Sequence, residues 1–209
     1  MKILIADDHA ILRRGLRNLL QEEFVALEVA EARDSREALD LMVREEWDLV
    51  LLDINMPGRG GLEVLTETRR VHARAKILVL SAYAEEEFAL RAFQLGASGY
   101  LNKQTAFDEL LLAVRRILGG GKYVTASLAE RMAATLGGEI QPEPHEALSA
   151  RELQVLRLIA VGRTLKEISS ELTLSEKTIA TYRARISEKM GLGSKVELTR
   201  YALQHKLVE

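Results

Sequence analysis

Short apolar runs recur along the first part of the chain, and each is followed by a stretch whose apolar positions fall three and four residues apart. The runs at 2–6, 27–32, 48–54, 76–81 and 98–101 have the length of buried strands. Between them, Leu12/Leu16/Leu19/Leu20, Ala38/Leu41/Met42 and Leu110/Val114/Ile117 each mark one face of a helix. Strands that alternate with helices in this way build βαβ units on a parallel sheet. Residues 1–120 are therefore expected to fold as a doubly wound, five-stranded α/β domain of the flavodoxin-like type.

At Gly119-Gly120-Gly121 the pattern stops, because consecutive glycines end helix propagation at a high entropic cost. Residues 121–146 are expected to form a linker. They hold one short helical stretch at 126–136, then Gly137-Gly138 and Gln141-Pro142-Glu143-Pro144. Beyond it, 147–209 reads as a small all-α domain of four helices. Three of them open with a capping box: Ser149 with Glu152, Thr164 with Glu167, and Ser194 with Glu197. The remaining helix starts at Ser175 and is closed by Gly191. A helix at 164–172, a turn at Thr173-Leu174 and a helix at 175–190 make a helix-turn-helix, with the second helix as the DNA-reading element.

Composition narrows the setting. The chain has 209 residues, 47% hydrophobic, and no cysteine, which excludes a disulfide framework and thiolate chemistry. Its apolar runs are too short to span a bilayer, and Asp7-Asp8 interrupts the first one before a signal-peptide core could form. A soluble, cytoplasmic protein without membrane attachment is expected. The net charge is only −2, but it is unevenly placed. From Ala147 onward there are 11 Lys and Arg against 7 Asp and Glu, while the rest carries 18 against 24. A basic segment joined to an acidic one is the arrangement expected when only the former meets a polyanion.

The acids of the first domain have a specific placement. Asp7 and Asp8 follow the first strand and Asp53 ends the third, so all three fall at carboxyl ends of neighbouring strands, where open α/β sheets bind ligands. Such a cluster repels itself and is relieved by raised pKa values or by a divalent cation, for which oxygen ligands suit Mg²⁺. Ser81 ends the fourth strand and Lys103 follows the fifth, adding a hydroxyl and an ammonium opposite Asp53. Carboxylate nucleophile, Mg²⁺, Lys and Ser together make a phosphoryl site. The plainer alternative has each acid capping a following helix, Ser81 and Lys103 on the surface, and Tyr100 packing half-buried on the fourth helix.

In these residues the chain resembles the receiver domains of two-component response regulators. The match lies in Asp7-Asp8, Asp53-Ile54-Asn55-Met56-Pro57-Gly58, Ser81-Ala82 and Tyr100-Leu101-Asn102-Lys103. The resemblance implies that Asp53 takes a phosphoryl group from a sensor histidine kinase. It also implies that Asp8, Asp53 and the Asn55 backbone carbonyl hold Mg²⁺, supported by Asp7. Lys103 would pair with the phosphoryl group, with Ser81 and Tyr100 as switch residues. The only catalysis implied is the chain's own phosphoryl acceptance and slow autodephosphorylation, so it is not classed as an enzyme. Many receivers have proline after the lysine; this chain has Gln104.

The second domain resembles the LuxR/FixJ type, through Leu148-Ser149-Ala150-Arg151-Glu152, Lys166-Glu167-Ile168 and the run from Ser175 to Met190. At 100° per residue Ile179, Ile186 and Met190 face the core, and Lys177, Ala180, Thr181, Ala184 and Glu188 face away, with Arg185 on a flank. Arg183 falls near the core edge and would have to snorkel outward. Alanine methyls and Thr181 suit thymine methyl groups; Lys177 and Arg185 suit guanine or phosphate, with Tyr182 and Arg183 anchoring the backbone. A small helix-turn-helix domain is expected to act as a homodimer on paired half-sites of a double-stranded operator. The competing readings are an aspartyl-phosphate hydrolase, a flavodoxin-like redox protein and a DNA-binding regulator without phosphorylation control. A hydrolase wants a second acid two residues after its nucleophile, where this chain has Asn55. A flavin phosphate would be repelled by Asp7-Asp8.

Overall fold

The computed structural model describes residues 1–56, 61–82, 85–104, 106–137 and 143–208. The chain forms two compact units, Met1–Gln141 and Pro142–Glu209. In the first, β1 (Lys2–Ala6), β2 (Glu28–Ala32), β3 (Leu49–Asp53), β4 (Ile77–Ser81) and β5 (Gly99–Asn102) alternate with α1 (Ala10–Glu23), α2 (Ser35–Arg44), α3 (Gly61–Val71), α4 (Glu85–Gln94) and α5 (Ala106–Leu118). All pairings are parallel, and the strand order is β2-β1-β3-β4-β5. The chain therefore reverses direction across the sheet between β1 and β3, and the crevice at their carboxyl ends is the switch point of a doubly wound fold.

Alternation along each strand divides the core into two layers. Ile3, Ile5, Leu49, Leu51, Leu78, Leu80 and Leu101 pack with Leu16 and Leu20 of α1 and Leu110, Val114 and Ile117 of α5. Leu4, Val50, Leu52, Val79 and Tyr100 are buried on the other face, the side of α2 and α4. The edge strand β2 is only half-buried along most of its length. Both β3 and β4 are buried at every position, so the strand that delivers Asp53 is held by packing on both faces as well as by two ladders.

The segment 121–137 behaves differently from the linker expected there. After Gly120 turns the chain with φ +88°, Tyr123 pairs with Gly99 at the edge of β5, and its hydroxyl donates to Glu109 at 2.5 Å. Helix α6 (Ala126–Leu136), capped by Thr125, then packs against α4 with Leu128 buried. A backbone bridge and an apolar anchor dock this stretch on the first unit. Gly138, Gln141 and Pro142 of the expected linker lie outside the described residues, as do Pro57 and Gly58 of the Asp53 motif.

The second unit opens with a 3-10 turn over Pro144–Ala147, followed by α7 (Ala150–Ala160), α8 (Leu165–Glu171), α9 (Glu176–Met190) and α10 (Lys195–Gln204). All three capping boxes form: the backbone N–H of Ser149, Thr164 and Ser194 donates to the glutamate three residues on at 2.7, 2.7 and 2.8 Å. The turn between α8 and α9 places Thr173 at φ +53°, the left-handed conformation that lets two helices meet at an angle. Ile168, Ile179, Ile186, Leu153, Leu156 and Leu198 form the core.

Candidate functional site

The pocket is assembled from strand ends. Asp7 follows β1 directly and donates its own backbone N–H to Ala32 at the end of β2, while its carbonyl accepts from the Arg13 guanidinium at 2.7 Å. Asp53 closes β3 in register with Leu80 of β4, and Ile54 donates on to the same Leu80 carbonyl at 3.2 Å. The side chains of Asp7 and Asp53 are fully buried, and that of Asp8 is 29% exposed. Lys103 reaches in from beyond β5, its backbone N–H fixed on the Ser81 carbonyl at 2.7 Å.

The ammonium of Lys103 lies 2.7 Å from Asp7 Oδ2 and 2.7 Å from Asp53 Oδ2, with only 12% of the side chain exposed. The other Asp53 oxygen accepts from the Asn55 backbone N–H at 2.8 Å. Burial is the main influence on Asp53 and pushes its carboxyl up to about 6; Lys103 opposes this and Asp7 reinforces it. For Lys103 burial works against the charge, but the two carboxylates outweigh it and the ammonium is held above its ordinary value. One cation thus serves two buried anions. Asp7 Oδ2 and Asp53 Oδ2 are buried with the Lys103 ammonium as their shared partner, and Asp8 Oδ1 is buried beside the His9 ring at 2.7 Å. Oxygens in that condition, converging within 4.8 Å together with His9, suit a hard divalent cation.

Ser81 is fully buried at the end of β4, in register with Asn102, and Tyr100 is buried rather than half-exposed. The loop after β5 explains how Gln104 stands where proline is common. Its backbone N–H donates to Asn102 Oδ1 at 2.8 Å, a bond that a proline could not make. Two pocket neighbours escaped the sequence reading. The His9 ring lies 2.7 Å from Asp8 and 3.2 Å from Asp7, and Arg13 joins the Asp7 carbonyl to Glu31. Nothing in a histidine after two aspartates marks it, since its side chain is 66% exposed.

In the second unit, Ile179, Ile186 and Met190 turn inward. Lys177, Ala180, Thr181, Arg183, Ala184 and Arg185 are exposed and Tyr182 is half-buried; Lys177, Ala180, Thr181 and Ala184 lie opposite the buried face of α9, Arg185 on its flank, and Tyr182 and Arg183 beside the buried residues. The Thr181 hydroxyl donates back to the Lys177 carbonyl at 3.0 Å, which leaves its methyl as the outward group. An ion pair of 2.6 Å from Lys189 to the buried Glu152 ties α9 to α7. The cap acid of α7 therefore also sets where α9 sits.

Two family models match the chain. The response regulator receiver domain covers residues 3–115, and the luxR family of bacterial regulatory proteins covers residues 146–202. The chain belongs to the NarL/FixJ family of response regulators. It is 36% identical to response regulator UvrY of Escherichia coli, over 99% of this chain and 95% of that one. To response regulator GacA of Pseudomonas aeruginosa it is 34% identical, over 100% and 98%. Among solved structures it resembles RcsB from Salmonella enterica serovar Typhimurium bound to a promoter in the presence of the phosphomimetic BeF3⁻. The TM-score is 0.59 and the identity 26%, over 96% of this chain and 97% of the other. This regulator thus combines a receiver domain with a LuxR-type DNA-binding domain and regulates transcription. No described helix is long and apolar enough to cross a membrane.

Proposed function

We propose that Asp53 is the phosphoryl acceptor and that its phosphorylation by a sensor histidine kinase controls dimerisation and operator binding. The observation that carries this reading is the Lys103 ammonium held 2.7 Å from both Asp7 and Asp53. An Asp53 oxygen attacks phosphorus, an acyl-phosphate P–O bond forms, and the P–N bond to the kinase imidazole breaks, the imidazole taking up a proton. Asp8, Asp53 and the Asn55 carbonyl would hold Mg²⁺, with Asp7 supporting them. The ion supplies neutralisation of the phosphoryl oxygens. Lys103 then pairs with the new dianion, the Ser81 hydroxyl donates to it, and Tyr100 repacks in the space beside β5. The added charge of about −1.5 to −2 favours the state in which those contacts form.

On the DNA side, α9 enters the major groove. Ala180, Ala184 and the Thr181 methyl face thymine methyls, Lys177 and Arg185 reach guanine or phosphate, and Tyr182 and Arg183 hold the backbone. The exposure of Lys177, Ala180, Thr181, Ala184 and Arg185 away from the buried face of α9 supports the assignment, as does the promoter-bound RcsB relative. The active form is a homodimer on paired half-sites in the cytoplasm.

The test is intact-protein mass after incubation with acetyl phosphate and Mg²⁺, for the parent and for Asp53→Ala. The expected result is one phosphoryl group on the parent and none on the variant, with tighter operator binding only by the phosphorylated parent. Equal labelling of Asp53→Ala would remove Asp53 from the role. An unlabelled parent would leave DNA binding without phosphorylation control.

A further inference from the structure

A second group of metal-ligating side chains lies in the DNA-binding unit, away from the acidic pocket. Glu143 and His145 flank the start of the 3-10 turn at Pro144–Ala147, and His205 caps α10. One ligand atom from each lies within 4.8 Å of the other two. Glu143 is exposed and the two imidazoles are half-buried, so the group is open to solvent on one side.

Tyr201 organises the three. Its hydroxyl donates to Glu143 Oε2 at 3.4 Å and stands 2.8 Å from His145 Nδ1. With its proton directed at the carboxylate, the Tyr201 oxygen accepts from His145 Nδ1–H, which leaves the lone pair on Nε2. That is the arrangement of a metal-binding imidazole, whose other ring nitrogen is fixed by a donor bond to a neighbour. The Tyr201 ring also stacks on His205 at 4.1 Å and 22°, which holds the second imidazole in orientation, and His205 Nδ1 is 3.6 Å from Glu143 Oε2.

The geometry points to a zinc site made by Glu143, His145 and His205, with Tyr201 as its positioning residue. Two imidazoles and one carboxylate form a donor set that Zn²⁺ takes with a fourth position left to water, whereas Mg²⁺ prefers oxygen alone. The ion would join the segment leading into α7 to the end of α10. A clip that closes a loop of about 60 residues stabilises the folded unit chiefly by restricting the unfolded chain.

The test uses Zn²⁺ on the full chain after chelator treatment, with millimolar Mg²⁺ present and an Asp53→Asn background to weaken the acidic pocket. A chromophoric chelator reports affinity, and Co²⁺ substitution reports coordination through its visible absorption. The expected result is one Zn²⁺ per chain, with affinity lowered at least ~10-fold by His205→Ala, by His145→Ala or by Glu143→Gln. Tyr201→Phe keeps the stacked ring and is expected to lower affinity ~10-fold or more by freeing the His145 tautomer. Far-UV circular dichroism of each metal-free variant separates ligand loss from unfolding, and Zn²⁺ should raise the melting temperature of the parent but not of His205→Ala. Failure of the parent to bind Zn²⁺ in the Asp53→Asn background, or affinity unchanged by His205→Ala and Glu143→Gln, would overturn the site.

Discussion

Replacing Lys103 with alanine removes the ammonium that both Asp7 and Asp53 face at 2.7 Å. Asp53 already titrates at about 6, raised by burial first and by Asp7, with Lys103 as the opposing influence. An opposite charge at this range holds a carboxyl down by roughly 1–3 pH units, so its loss moves the Asp53 midpoint up by that amount in the metal-free protein. At pH 7 a group with a midpoint near 6 is about nine-tenths ionised; a rise of two pH units leaves about a tenth. The ionised form, the one the proposed phosphoryl acceptance needs, therefore drops roughly tenfold. Stability follows the same sign. The folded value lies above the ordinary 3.8, so the parent's fold is penalised most above about 6 and gains as pH falls toward 3.8. In Lys103→Ala the penalty continues to grow above pH 6, costing about 1–2 kcal/mol more at pH 7. The assay is a carboxyl ¹³C shift titration of metal-free parent and variant, with the Asp53 signal identified by its loss in Asp53→Asn. Mg²⁺ is expected to bring both midpoints down. A variant whose Asp53 titrates where the parent's does would refute the idea that Lys103 sets the charge of this pocket.

Two further perturbations probe the frame around the sites. Glu152→Ala removes a helix cap and leaves Lys189 without its partner; a loss of about 2–4 kcal/mol in urea unfolding is expected, and a smaller one for Glu152→Gln, which keeps a neutral acceptor. Burial works against the Glu152 charge, but Lys189 and Ser149 outweigh it and hold the carboxyl below its ordinary 4.5. Its stabilisation is therefore present above that value and lost as pH falls through the depressed folded one, and Glu152→Gln should flatten that acid limb. At Gly61 an added Cβ would lie 2.4 Å from the Asp53 carbonyl oxygen and 2.4 Å from Ile54 Cα. Both are backbone, so Gly61→Ala is expected to cost about 1–3 kcal/mol and slow acetyl-phosphate labelling; a parent-like melting temperature and rate would contradict this.

What could be read in advance was what is written locally. The three capping boxes need only residues three apart, and all three form as spaced. Strand-end placement was legible because apolar runs of four residues end abruptly in Asp7, Asp53 and Ser81. The docking of α6 was hidden because glycines on both sides resemble a linker, while the contact that fixes it, Tyr123 on Gly99, spans separate elements. Similarly, Glu152 was legible as a cap but not as the partner of Lys189, 37 residues away. The grouping of Glu143 and His145 with Tyr201 and His205 depends on α10 returning beside the 3-10 turn, which no periodicity encodes.

The strand order β2-β1-β3-β4-β5 bears on how such a protein fails. Asp7, Asp53, Ser81 and Lys103 come from four different strand ends, and all four come together only when β1, β3, β4 and β5 are paired. A chain with one of these four strands unpaired does not have a weakened pocket; it lacks one of the four groups altogether. Signal reception is thereby made contingent on complete assembly, whereas the helix starts of the second unit are specified within single turns. On the proposed reading, damage to the first unit should abolish phosphoryl acceptance outright rather than leave a weakened response.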